Sequence, residues 1–156
     1  GQWSEWYHDV GLDWGLLDYP LHKSLQHWVA DLNRLYREEA ALHILDFDPS
    51  GFEWIDCNDS QHSVVSLLRK TPSGGDAILA VFNFTPVPRH GYRVGAPKAG
   101  FWKEILNSDA AEYGGSGAGN LGGKETEETP CHGRPWSLDL TLPPLGAVFF
   151  KIGERS

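Results

Sequence analysis

The sequence predicts a mainly β fold: an antiparallel β-sandwich, entered through a loop and one or two helices. Three observations predict it. The 156 residues include 18 Gly and 10 Pro, which requires many turns. From Phe52 onward, short apolar runs follow one another at hairpin spacing with no helical period between them. Finally, Ala77-Ile78-Leu79-Ala80-Val81-Phe82 is a continuous apolar run between Ser73-Gly74-Gly75 and the pair Pro86 and Pro88. A run of that length, flanked by turn residues, is the pattern of a strand buried on both faces. Pro86 and Pro88 have no N–H to donate, so the chain must leave the sheet there in a stiff, exposed segment.

Taken in order, Gly1 to Asp18 fits neither a helical nor a strand period and reads as a loop, with Trp3, Trp6, Tyr7 and Trp14 among Glu5, His8, Asp9 and Asp13. Pro20 to Leu45 is the helical region. Leu21, Leu25, Trp28, Leu32 and Leu35 form one apolar face, so Trp28 is expected in a core. Asp18 is the expected cap and Pro20 suits the first turn. Glu38 to Leu45 reads as a second short helix, and Pro49-Ser50-Gly51 as a domain boundary. Strands are then expected at Phe52 to Cys57, His62 to Lys70 and Ala77 to Phe84, with Asn58-Asp59 as a turn. Weaker strands follow at Tyr92 to Val94 and Trp102 to Leu106, and closing strands at Ser137 to Leu142 and Gly146 to Ile152. Asn107 to Pro130 is a long excursion, which marks a functional or mobile loop, and its acidic run Glu125 to Glu128 reads as solvated.

The net charge of −8 argues against nucleic acid and against anionic membrane surfaces as partners. No apolar run approaches the ~18 residues a spanning helix needs. Gly1-Gln2-Trp3 has neither an initiator Met nor a basic flank, so the chain is expected to begin inside a longer polypeptide. Cys57 and Cys131 show no zinc or redox spacing; two free thiols in a cytoplasmic protein is the first reading and a single disulfide the second.

Little in the chain suggests bond-making chemistry. Gly117-Ala118-Gly119-Asn120-Leu121-Gly122 matches a dinucleotide fingerprint in letters, but it runs into a polar, acidic segment rather than a helix, so no cofactor is expected. His22 and His27 lie five apart on a helix and do not share a face, so no metal site is expected. Glu5, Asp9 and Asp13 sit together on one loop, a poor platform for the ~5–5.5 Å carboxylate pair of a retaining glycosidase. Aromatics are the better candidates, because a Trp face matches the flat apolar face of a sugar ring. Phe52 and Trp54 share one strand face; Trp54 is either a core side chain or a surface platform. Trp6 and Trp14 divide in the same way between loop packing and a ligand rim, and Trp102 and Trp136 read as core.

A resemblance adds to this. Asn83-Phe84-Thr85-Pro86-Val87-Pro88-Arg89 followed by Tyr92-Arg93-Val94-Gly95 resembles the C-terminal β-domain of bacterial 1,4-α-glucan (glycogen) branching enzymes, members of the α-amylase-like glycoside hydrolase superfamily. The resemblance extends to Glu5-Trp6, His8-Asp9 and Leu12-Asp13-Trp14 near the start and to Leu140-Thr141-Leu142-Pro143-Pro144-Leu145 near the end. It implies that residues 1–48 are the last segment of a catalytic (β/α)₈ barrel, with Gly1-Gln2 closing its last strand, and residues 49–156 an all-β domain. Loops at that end of a barrel line the active site. The resemblance therefore implies glucan-binding roles for Trp6, His8, Asp9 and Trp14, beside the platform at Trp54. Tyr7 departs from the family, which often has Asn there. The catalytic carboxylates of the family lie on earlier barrel strands, so none is expected here. The implied partners are α-1,4-glucan or glycogen and the catalytic barrel of the same protein, with a homo-oligomer through the exposed helix face as a further expectation. The implied location is the cytoplasm.

Overall fold

The computed structural model of the chain describes residues 5–72 and 75–154. The expectations for Gly1-Gln2, Trp3, Ser73 and Gly74 lie outside the described residues. A 3₁₀ turn, Trp14–Asp18, precedes helix α1 (Pro20–Glu38) and the one-turn helix α2 (Ala40–His43). Eight strands follow: β1 (Phe52–Asp59), β2 (Val64–Lys70), β3 (Ala77–Asn83), β4 (Arg89–Ala96), β5 (Phe101–Asn107), β6 (Gly123–Glu125), β7 (Trp136–Leu142) and β8 (Gly146–Ile152). They form two antiparallel sheets, one in the order β1-β2-β3-β8-β5-β6 and one pairing β4 with β7. The mainly β, antiparallel sandwich is therefore present.

The run Ala77 to Phe82 becomes β3, an inner strand buried along both faces. Its odd-numbered side chains Leu79 and Val81 face the sandwich core with Val64, Leu68, Trp102, Val148 and Phe150. Val94, Ala96, Leu138, Leu140 and Leu142 close that core from the small sheet. The other face of β3 carries Ile78 and Ala80, and α2 lies over it against β2 and β3. At the end of β3 the chain does leave the sheet, as the prolines require. Pro86 and Pro88 carry it across to β4 in the other layer. Asn83, fully enclosed, secures this exit: its Nδ2 donates to Val87 O (2.8 Å) and Pro143 O (2.9 Å), and its Oδ1 accepts from Thr85 N and Oγ1 (3.1 and 2.8 Å).

Several expectations are corrected. Asp18 does not cap α1: it ends the 3₁₀ turn, and Tyr19, with extended backbone and no side-chain cap, holds the N-cap position. Residues 14–18 are thus not simple loop. Asn58-Asp59 is not the first hairpin turn; both residues belong to β1, and the reversal is at 60–63. Asp59 closes it by accepting from His62 N (3.0 Å), and Ser63 takes a positive φ of 52°. Trp28 is only half-buried, packed edge-on to Tyr113 at 5.1 Å; Leu21 and Leu25, on the N-terminal half of the apolar helix face, are exposed.

The excursion from 107 to 130 is pinned rather than loose. It contains a 3₁₀ turn, Ala111–Tyr113, and strand β6. Asn107 Nδ2 donates to Ala118 O (2.9 Å), Asp109 accepts from Ser116 N and Ala118 N (3.0 Å each), and Gly115 lies so close to the Asp109 backbone that no side chain would fit. Buried Asn120 bonds Glu104 Oε2 (2.6 Å) and the Thr141 backbone at both N and O (2.8 and 3.1 Å). Within the acidic run, Glu127 pairs with Arg93 at 2.8 Å, so it is not merely solvated.

Candidate functional site

The five residues singled out from the sequence fall in two places. Trp6 and Trp14 come together at the N-terminal end. With Leu12, Leu17, Leu25 and Val29 they line an open apolar groove of about 490 Å³ between the first loop and α1. Both rings are well exposed, Trp6 at 73% and Trp14 at 64%. They project because the 3₁₀ turn folds back along α1, leaving the helix's apolar side as the groove floor. His8 sits beside Trp6, ring centres 6.5 Å apart, and its Nε2 meets Asp9 Oδ1 at 3.1 Å. His8 and Asp9 therefore form a polar pair at the edge of an aromatic surface, the combination that stacks a sugar face and bonds its hydroxyls.

Trp54 is separate, on β1 at the edge of the large sheet. Strand alternation puts it beside Phe52, and the two rings meet edge to face at 4.8 Å, 89° apart. Trp54 is 51% exposed, so of the two sequence readings the core one fails: the face that Phe52 and Trp54 share is the outer face of the sheet, while Ile55 packs against the sandwich core. The adjacent polar groups are spent on structure. Arg69, across from Phe52 in the ladder, donates to Asp46 (2.9 Å) and to Leu42 O (3.0 Å). Glu53 holds Lys70 (2.8 Å) and Arg134. The aromatic pair is thus an exposed apolar patch beside ion-paired neighbours.

A third cluster escaped the sequence reading. Tyr113, in the long excursion, packs edge-on to His27 and Trp28 and donates its hydroxyl to Asp31 Oδ2 at 2.7 Å. That bond first, and the Arg34 guanidinium second, hold the Asp31 carboxyl below the usual aspartate range; burial and the Asp31 bond push the Tyr113 hydroxyl up. Asp31, Arg34, Glu104, Asn107, Glu112 and Tyr113 line a polar cleft where α1 meets the β-sandwich. Only the helical spacing of His27, Asp31 and Arg34 was visible in the sequence; Tyr113 joins them from 82 positions away. Among the described residues, no group of three or more His, Cys, Asp or Glu is placed to hold a metal ion. Cys57 and Cys131 are both free thiols; burial first raises the Cys131 thiol pKa. Among the described residues, no helix is long and apolar enough to cross a membrane.

Comparison with known proteins bears on what such a sandwich belongs to. The profile of the family described as "Alpha amylase, C-terminal all-beta domain" matches residues 54–153. The chain belongs to that family. The match covers the sandwich from β1 to β8, so Trp54 lies inside this all-β domain and the aromatic groove precedes it. Curated relatives extend the likeness over the helices. The chain is 59% identical, over 97% of its length, to a 1,4-alpha-glucan branching enzyme GlgB of Aquifex aeolicus, and 61% identical over 99% to that of Aromatoleum aromaticum. It is 50% identical over its whole length to the GlgB of Synechocystis sp.. In these relatives it spans only 20–24% of their length.

Proposed function

We propose that this chain is the C-terminal part of a 1,4-α-glucan branching enzyme of glycogen synthesis. The observation that carries the reading is the 50–61% identity to GlgB proteins along nearly the whole chain, helices included. In this reading the longer protein is a transferase. It cuts an α-1,4 link, holds the cut chain as a covalent glycosyl-enzyme, and passes it to a 6-hydroxyl of an acceptor glucan. Residues 1–48 are the end of its catalytic (β/α)₈ barrel and residues 49–156 its all-β domain. The reacting carboxylates belong to earlier barrel strands, and the chain alone has no transferase activity. Its own work is to brace the barrel and to hold glucan. Trp6, His8, Asp9 and Trp14 form a rim beside the reaction site, and the Phe52–Trp54 pair is a platform on the outside of the β-domain. The exposure of the rings, and the edge-to-face packing of Phe52 on Trp54, support these roles.

Leu21, Leu25 and Val29 are exposed on the same α1 face. In the longer protein the barrel strands cover that face; separated from them, two copies of the chain pair weakly through it. The protein works in the cytoplasm, where glycogen is made. A second reading, a free-standing carbohydrate-binding module, draws on the Trp54 platform alone and leaves the helices without a purpose. Electrophoresis in a glycogen-containing gel tests the platform. The chain is retarded relative to a glycogen-free gel, and Trp54→Ala runs unretarded; equal retardation of both removes Trp54 from the binding surface.

A further inference from the structure

Residues 107–120 leave the large sheet at the end of β5 and are braced at their base. Asn107 and Asn120 meet at Glu104, whose two carboxylate oxygens accept from their Nδ2 atoms at 3.3 and 2.6 Å, and Asn120 also bonds the Thr141 backbone. The tip of the excursion, Ala111–Tyr113 and the following Gly114, lies along α1. Gly114, at a φ of 83°, comes so near that a Cβ there would sit 3.3 Å from Leu21 Cδ2 and close to Ser24. Tyr113 packs on His27 and Trp28, and its hydroxyl donates to Asp31 Oδ2 at 2.7 Å. Asp31 is itself fixed by Arg34 Nη2 at 2.9 Å.

The helix geometry shows what this contact does. Ser24, His27 and Asp31 meet the excursion, and each lies two positions after a residue that lines the aromatic groove: His22, Leu25 and Val29. A step of two residues turns an α-helix by about 200°, so the two sets are on opposite sides of α1. The excursion grips the back of the helix whose front carries Trp6 and Trp14. The one fully enclosed side chain of α1 is Leu35, near its far end. Among the described elements of residues 49–156, only Ala111–Tyr113 packs extensively on α1.

We infer that residues 107–120 are a strut that sets the place of α1 and of the groove on its far side, so that Tyr113 is a positioning residue for glucan held at a rim it does not touch. This rests on the proposed function and adds to it a residue that tunes affinity at a distance. It also gives the long, internally braced excursion a purpose.

The test is branching kinetics of the longer polypeptide as encoded, with linear α-1,4-glucan as substrate. Tyr113→Phe keeps the ring and loses only the hydroxyl. Its KM should rise about fivefold or more, the lower end of coupling between distinct sites, with kcat kept within about twofold. Loss of folded protein lowers kcat and leaves KM alone, so this split separates positioning from stability. Asp31→Asn keeps an oxygen for the Tyr113 hydroxyl and should retain most of the affinity that Asp31→Leu loses. Trp6→Ala raises KM as well, and adding Tyr113→Phe to it should raise KM by less than about twofold more, because both act through one groove. An unchanged KM in Tyr113→Phe overturns the inference. So does full multiplication of the two effects in the double variant, which assigns Tyr113 to another site. An unsubstituted polypeptide that makes no branches removes the proposed function and this inference with it; one that branches with a KM indifferent to Tyr113 removes the inference alone.

Discussion

Replacing Asn83 by alanine removes four hydrogen bonds at the point where the chain crosses between sheets. Two of them, to Val87 O and from Thr85 N, involve backbone near the surface, and water can replace the side chain there. The bond to Pro143 O (2.9 Å) is enclosed, and that carbonyl is left without a partner. At about 1 kcal/mol for each of those two bonds, and about 1–3 for the stranded buried carbonyl, Asn83→Ala should cost about 3–5 kcal/mol. With a urea m-value of about 2 kcal/mol/M, the unfolding midpoint falls by about 1.5–2.5 M. Asn83→Asp has the same shape, yet should cost more. It sets a carboxylate oxygen against the two carbonyls that Nδ2 served, in an enclosed site. The assay is urea unfolding followed by far-UV circular dichroism. A midpoint shift below about 0.3 M for Asn83→Ala, or a milder effect of Asp than of Ala, would refute the reasoning.

Three further outcomes follow from the geometry. Trp54→Ala loses glycogen retardation but little stability, about 0.5–1.5 kcal/mol from the lost edge-to-face contact with Phe52, read by thermal unfolding. Asp31 has its carboxyl held below the ordinary aspartate value, so the folded state releases this proton more readily than the unfolded one. Its contribution to stability is complete above the unfolded value of about 3.9 and fades as pH falls below that; Asp31→Asn should flatten the acid limb of a stability–pH profile below about pH 4, and an unchanged slope counts against the Tyr113–Asp31 link. With Ellman's reagent at pH 8, the exposed Cys57 reacts quickly and Cys131 much more slowly, because burial raises its thiol pKa; two equally fast thiols, or none, contradict the structure.

The strands were legible where a local pattern decides them. The apolar run at Ala77 to Phe82 and the prolines after it located an inner strand and its exit, because backbone donors and apolar periods are local properties. Asn83 was not singled out, since its partner Pro143 lies 60 positions away. What pins the excursion after Asn107 was hidden for the same reason: Asn107, Asn120 and Glu104 hold it through contacts that no short window contains. The first turn was misplaced because β1 is bulged, with register shifts between Trp54 and Asp59 that lengthen the strand past Asn58. For Trp54 the alternation gave its companion, Phe52, but not which side of the sheet faces solvent; that depends on how the two layers stack. In the first loop, the sequence left Trp6 and Trp14 divided between loop packing and a rim; both are exposed, and the groove they line depends on a 3₁₀ turn that no hydrophobic period announces.

The central claim is that this β-domain and its helical lead-in serve a glucan-branching enzyme without themselves carrying its reactive groups. The most direct measurement is the appearance of α-1,6 linkages, by proton NMR, when linear α-1,4-glucan is incubated with the 156-residue chain and, in parallel, with the longer polypeptide as encoded. The account predicts new α-1,6 linkages with the longer polypeptide and none with the short chain. Branching by the short chain alone, or none by the longer polypeptide, would contradict it.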